Sequence, residues 1–304
     1  MSDQATHPAD TPLYPIREVS RLTGVNSVTL RAWERRYGLI RPRRTPKGHR
    51  LYARDDIERI EHILQWLNRG VPVSQVRELL EQPETVEAPA PSAGDWPSQR
   101  QQLVAAVEAL DLHRLEALFN QSLALYPVTT CLQELWQPVI RELEEGWDDH
   151  LGAILQRRTL EAFLRTRIGT RLYHADSMST GPLVLTTALP DDPGILWVLL
   201  SALAASDQGY RVQLFDAALP FSEIPLAMER FKAAALLLCS GKAERADLIR
   251  RQLPRLAEQL DVPLALCGPV ARIRAGDLEP TPVEALGDDL PQAITRLSAL
   301  IREA

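Results

Sequence analysis

The run from Gly24 to Tyr52 constrains the fold of this chain more than any other stretch. GVNSVTLRAWERRYGLI (Gly24 to Ile40) passes directly into RPRRTPKGHRLY (Arg41 to Tyr52). Gly24 suits the left-handed position of a tight turn, and Ser27 reads as the N-cap of the helix that follows. Val28, Leu30, Trp33 and Tyr37 supply apolar positions for a buried helix face, and Gly38 is a natural stop. Pro42 to Gly48 suits a turn between two short strands, the second being His49-Arg50-Leu51-Tyr52. A short helix with Ile16, Val19 and Leu22 on one face should precede this unit. Asp55 or Asp56 should cap a third helix carrying Ile57, Ile60, Ile63, Leu64 and Leu67. Gly70 ends that helix, and Ser74 opens another around Val76, Leu79 and Leu80.

Charge is divided as sharply as pattern. The chain of 304 residues has a net charge of -6, yet residues 14–82 hold 14 Lys and Arg against 8 Asp and Glu. The remainder holds 20 against 32, so a basic module is joined to an acidic body. That division implies a polyanionic partner for the first part alone. Cys131, Cys239 and Cys267 are widely spaced and form no CxxC pair, which argues against a disulfide framework or a thiolate metal site. No apolar run is long enough to span a bilayer. The polar start, MSDQATHPADTPL, lacks a signal-peptide layout, so a soluble cytoplasmic protein is expected.

The periodicities predict a multidomain α and α/β chain. Residues 1–13 read as a disordered tail, 14–82 as a winged helix-turn-helix, and 83–98, rich in Pro, Ala and Ser, as a linker. Residues 99–178 are helical almost throughout, with breaks near Leu110-Asp111, Tyr126-Pro127 and Trp147–Gly152, which suggests a four-helix bundle. From 182 to 304 the strand-like runs PLVLTTA, YRVQLFD, AALLLCS and PLALCGP alternate with helical segments. Val283 to Leu286 adds a fifth strand and Leu290 to Glu303 a closing helix. Such alternation predicts a doubly wound parallel sheet of the flavodoxin-like kind.

A helix that enters a major groove must offer polar and cationic side chains near its N-terminus. Ser27, Thr29 and Arg31 are the candidates, because Arg forks onto guanine and Thr serves a base edge or a phosphate. Arg35 and Arg36 lie a turn further on, where pairing with Glu34 or contact with the DNA backbone is expected. Arg43, Arg44, Lys47, His49 and Arg50 gather positive charge on one hairpin, which suits phosphates or an adjacent minor groove. Scattered surface arginines are usually a solvated face, but clustering beside a turn-helix signature favours DNA. Trp33 and Tyr52 have the spacing of core residues.

TLRAWERRYGL, P-x-R and GHRLY, taken together, resemble the MerR family of bacterial transcriptional regulators, in particular its MlrA-like and CarH/LitR-like branch. The resemblance covers Tyr14–Leu80. It implies a winged helix-turn-helix that binds double-stranded operator DNA as a homodimer or higher homo-oligomer. It places Thr29, Arg31, Arg35, Arg43, His49, Arg50 and Tyr52 in the recognition helix and wing. Contact with RNA polymerase or another regulatory protein belongs to the same expectation. The long coiled coil and metal-binding cysteines of metal-sensing members are missing, since no cysteine precedes Cys131.

The remaining 99–304 resembles the cobalamin-binding module of the light-sensing members of that branch, whose motifs can be compared residue by residue. Those members write D-x-H-x-x-G or E-x-H-x-x-G after the first strand of the sheet, the histidine being the cobalt ligand. Here the loop reads LPDDPGILW: Asp192 keeps the acid, Gly194 stands at the histidine position and Trp197 at the glycine position. The S-x-L position reads Cys239-Ser240-Gly241, and the glycine pair reads Cys267-Gly268. In the helical region W-x9-E-H reads Trp147 followed by Arg157-Arg158. These departures together predict no cofactor and no metal, hence a regulator independent of B12 and of light and with no enzymatic activity. The alternative keeps the same head and makes the C-terminal region a sensor of some other small molecule. Asp191 and Asp192 are expected to cap the next helix. Arg158 and Arg165, seven apart, are expected on a solvated face paired with nearby glutamates.

Overall fold

The computed structural model describes residues 13–68, 73–80, 96–147, 151–176, 179–192 and 194–303. The expected N-terminal tail, Gly70 and most of the linker lie outside them. The chain divides into two compact units: 1–103 with 113–131, and 104–112 with 132–304. The helices of 96–176 are thus shared between the two.

In the first unit β1 (Tyr14–Pro15), β2 (Arg43–Arg44) and β3 (Arg50–Tyr52) form a small antiparallel sheet with β3 in the middle. The wing therefore has a third strand that the sequence pattern did not announce, pairing Tyr14 with Tyr52. Helix α1 (Ile16–Thr23) ends on Gly24, whose φ of 71° is the left-handed conformation expected of it. Helix α2 (Ser27–Ala32) continues through a wider π turn, Trp33–Tyr37, to Gly38 at φ 60°. Its N-cap is Asn26, one residue before the serine expected: the Asn26 side chain accepts from the Val28 N–H at 2.8 Å. Asparagine caps as well as serine, so the pattern alone could not separate the neighbours.

Helix α3 (Arg54–Asn68) begins before both aspartates expected to cap it: Ala53 holds the cap position, and Asp56, in the first turn, accepts from the Ala53 N–H at 2.8 Å; α4 (Val73–Leu80) follows. Val19, Leu30, Trp33, Leu39, Tyr52, Ile60, Ile63 and Val76 are all buried in the head. The same unit holds the start of α5 (Trp96–Glu108), most of α6 (Leu112–Leu125) and α7 (Val128–Cys131). There Trp96 packs against Tyr126 with ring centroids 4.5 Å apart.

In the second unit a π turn, Leu132–Trp136, leads into α8 (Gln137–Gly146), followed by the long α9 (Ala153–Asp176). Strands β4 (Leu183–Ala188), β5 (Arg211–Leu214), β6 (Ala235–Cys239), β7 (Leu264–Cys267) and β8 (Val283–Ala285) form one parallel sheet in the order β5-β4-β6-β7-β8. Connecting helices are α10 (Leu196–Asp207), α11 (Ile224–Phe231), α12 (Leu253–Ala257), α13 (Pro269–Ile273) and α14 (Ala275–Leu278), with α15 (Leu290–Glu303) last. The doubly wound sheet is therefore as expected. Its strand order reverses between β4 and β6, and at their carboxyl ends lies the crevice where folds of this type place a ligand. Helix α10 is buried from Leu196 to Ala205, which is why its sequence is apolar on every face. No helix among the described residues is long and apolar enough to cross a membrane.

Asp207, at the end of α10, is an exception to the apolar lining. Burial pushes its carboxyl up to about 7, against the pull of Arg171. A raised carboxyl stabilises the fold at low pH, and that contribution is lost as pH rises from the ordinary aspartate value through 7. Asp207→Asn is therefore expected to raise the Tm at pH 8, by roughly 2–4 °C for each kcal/mol recovered. Near pH 3 the two proteins should melt together; an equal difference at both pH values would contradict the assignment.

Candidate nucleic-acid interface and the sheet edge

Two residues along an α-helix are about 200° apart, so α2 presents distinct faces. Val28, Arg31 and Arg35 are exposed and succeed each other at spacings of three and four. Thr29, Leu30 and Trp33 are fully buried. The Thr29 hydroxyl donates to the Leu123 carbonyl at 3.3 Å, and the Trp33 indole N–H donates to the Leu125 carbonyl at 2.8 Å. Ser27 is half-buried at the start of the helix.

Arg43, Arg44, Lys47 and His49 are exposed on the wing, and Arg50 is half-buried. Helix and wing are tied by Glu34, which accepts from Arg44 at 2.7 Å and from Arg50 at closer range. Burial works to raise the Glu34 carboxyl, but the hydrogen bonds from Arg50 and Arg44 outweigh it and hold it below the usual range. It stays ionised at neutral pH, so part of the charge on Arg44 and Arg50 is compensated internally. Arg31, Arg43, Lys47 and His49 remain as exposed basic or titratable groups, and Gly48 in the turn has a φ of 82°.

At the carboxyl edge of the sheet Asp192 is buried and organises two loops. One of its oxygens accepts from the Gly194 N–H at 2.8 Å, the other from Ser240 Oγ and the Gly241 N–H, each at 2.9 Å. Trp197, 2 % exposed, donates its indole N–H to Glu144 Oε2 at 2.9 Å, and Arg157 donates to Glu144 Oε1 at 3.1 Å. Burial raises the Glu144 carboxyl in spite of the bonds from Trp197 and Arg157. Arg141 stacks over Trp197 and Arg157 over Trp147, each 5.5 Å from the ring centroid. Glu161 is buried as well, accepting from the Ile195 N–H at 3.3 Å and from Arg158 at 2.7 Å.

The space is closely filled. A Cβ added at Gly194 would lie 2.9 Å from Arg157 Nη2, and one at Gly241 would lie 2.9 Å from Trp197 Cδ1. The described residues contain no cluster of three or more His, Cys, Asp and Glu placed to hold a metal ion.

The model of the MerR HTH family regulatory proteins matches residues 14–83. The HTH-type transcriptional regulator MlrA of Escherichia coli (strain K12) is 33% identical over 81% of this chain and 96% of its own length. This chain belongs to the MerR family of DNA-binding transcriptional regulators. The HTH-type transcriptional repressor CarH of Myxococcus xanthus is 27% identical, over 85% of the regulator and 90% of the relative. The solved methanol:cobalamin methyltransferase complex MtaBC of Methanosarcina barkeri aligns with 68% of the regulator and 81% of its own chain, at 13% identity and a TM-score of 0.36. That likeness is too loose to bear on function.

Of the DNA-facing residues expected from the sequence, the structure leaves Arg31, Arg35, Arg43, Arg44, Lys47 and His49 exposed in the regulator. It places Thr29 and Tyr52 elsewhere, both fully buried. Tyr52 is a core residue whose hydroxyl has no hydrogen-bond partner among the described residues, and burial pushes it up to about 12. Arg35 bonds to the Arg31 carbonyl at 3.4 Å, not to Glu34. Sequence reasoning did not see Glu34 as the helix–wing tie; a lone acid inside WERRY was its only signal.

The expected helix cap at Asp191-Asp192 is also corrected. Helix α10 has no side-chain cap: Asp192 joins the loops after β4 and β6, and Asp191 pairs with Arg245 at 2.6 Å. Arg158 does pair with Glu161, whereas Arg165 pairs with Asp216 at 3.0 Å.

Proposed function

We propose that the regulator reads an inverted-repeat operator as a homodimer, in the cytoplasm, without cobalamin, light or catalysis. Arg31 on α2 and Arg35 on the π turn that continues it face the bases and nearby phosphates, and Arg43, Arg44 and Lys47 neutralise the flanking backbone with His49 beside them. Two-fold symmetric subunits match a two-fold symmetric site, which is the reason to expect a dimer. Contact with RNA polymerase or another regulatory protein would then turn occupancy into a transcriptional output.

The observation carrying the B12-independent reading is the side chain of Trp197. It fills the edge of the sheet, and its indole is tied to Glu144, itself tied to Arg157. A corrinoid held through an imidazole needs a histidine in the loop after β4, and the described loop offers Gly194 against the Arg157 guanidinium. The residues present do not fit that group. Incubation of the purified regulator with adenosylcobalamin in the dark, followed by gel filtration and an absorbance spectrum, should give a colourless protein. A stoichiometric corrinoid spectrum would overturn the reading. Genome-wide occupancy mapping tests the other half: discrete peaks sharing an inverted repeat are expected, and diffuse occupancy would refute sequence-specific reading.

A further inference from the structure

The buried face of α2 is held by the end of another helix. The last carbonyls of an α-helix lack partners within it and must find donors elsewhere. At the end of α6, Ser122 O accepts from the Tyr126 N–H, while Leu123 O and Leu125 O accept from the side chains of Thr29 and Trp33. Leu123 and Leu125 are 6 % and 7 % exposed, so these carbonyls have little access to water. The two donors are four residues apart, Thr29 on α2 and Trp33 at the start of the π turn that continues it, and thus share a face. Arg31, between them in sequence, lies across the helix axis from both.

We propose that Thr29 and Trp33 are positioning residues: by capping α6 they fix the rotation of α2 about its axis, and so aim Arg31 and Arg35 at the bases. Two bonds to one helix end set this angle more tightly than apolar packing does, because hydrogen bonds are directional where packing is not. A shift of α6 would therefore rotate the recognition helix. The proposal explains why a threonine and a tryptophan, both carrying donors, occupy a buried face that apolar residues could have filled. It rests on the family's DNA binding, and the test separates failure of the two.

The test uses full-length Thr29→Val, Thr29→Ser and Trp33→Phe, each checked by circular dichroism and thermal melting. Affinity is measured for the operator and for an unrelated duplex across a salt series. Thr29→Val removes its donor at nearly unchanged shape and Trp33→Phe removes its donor with part of the ring; each should weaken operator binding about tenfold. Affinity for unrelated DNA and its salt slope should stay unchanged, because the exposed wing cations are untouched. Thr29→Ser keeps the hydroxyl and should bind like the parent. Equal losses on both duplexes, equal impairment of Thr29→Ser and Thr29→Val, or unchanged operator binding in a folded Trp33→Phe protein would each overturn the proposal. If the parent itself shows no preference for the operator, it is the DNA-reading assignment that fails.

Discussion

Arg31→Ala is expected to weaken operator binding by roughly 5- to 150-fold, the 1–3 kcal/mol that a base-reading arginine contributes. Arg31 is exposed in the last turn of α2, and among the described residues no hydrogen bond or ion pair holds its guanidinium. It therefore needs no internal contact broken before it meets a base. Truncation should also relax specificity: single-base variants of the operator at the contacted position should bind the mutant about equally. Arg44→Ala should behave differently, because its charge is already shared with Glu34. Its loss should be smaller and should fall alike on every sequence, with a shallower salt slope. The comparison is made by fluorescence anisotropy at fixed salt. If Arg31→Ala costs no more than Arg44→Ala, α2 does not read bases through Arg31.

Trp197→Ala should be the most damaging single change to the second unit, at about 3–5 kcal/mol for a buried tryptophan cut back to a methyl group. The loss has two sources. Truncation leaves a cavity at the sheet edge, and it removes the indole donor from Glu144, a buried carboxylate that would keep only Arg157. Trp197→Phe loses the donor and part of the ring volume but keeps an aromatic side chain, so its cost should be intermediate. Urea denaturation, followed by a probe in the second unit, measures both. A Trp197→Ala protein within about 0.5 kcal/mol of the parent would show that Trp197 is merely accommodated.

The elements legible in the sequence were those carried by local chemistry. Gly24 and Gly38 announced the ends of the helices because both adopt positive φ there. The strand runs from Leu183 to Cys267 and the closing helix at Leu290–Glu303 were visible because buried parallel strands are continuously apolar and helices are periodic. What could not be read was partnership at long range. Thr29 looks like a groove-facing threonine until a carbonyl 94 residues away is found beside it. Tyr52 has the spacing of a core residue and is one, but its pairing with Tyr14 on β1 left no mark in the pattern. Asp192 has the position of a helix cap, yet its bonds reach the loop after β6, 48 residues on. Glu144 and Glu161 carry no motif at all; they matter because the fold brings the buried Trp197 indole and the half-buried Arg157 guanidinium to them.

The central claim is that an Arg31-bearing head reads DNA while the body beneath the sheet edge is closed to a corrinoid. The most direct measurement is the operator affinity of the purified full-length protein, with and without saturating adenosylcobalamin, in the dark and after illumination. The account predicts one tight, sequence-selective Kd under all four conditions, weakened in Arg31→Ala. A Kd that changes when adenosylcobalamin is added, and changes again on illumination, would contradict it.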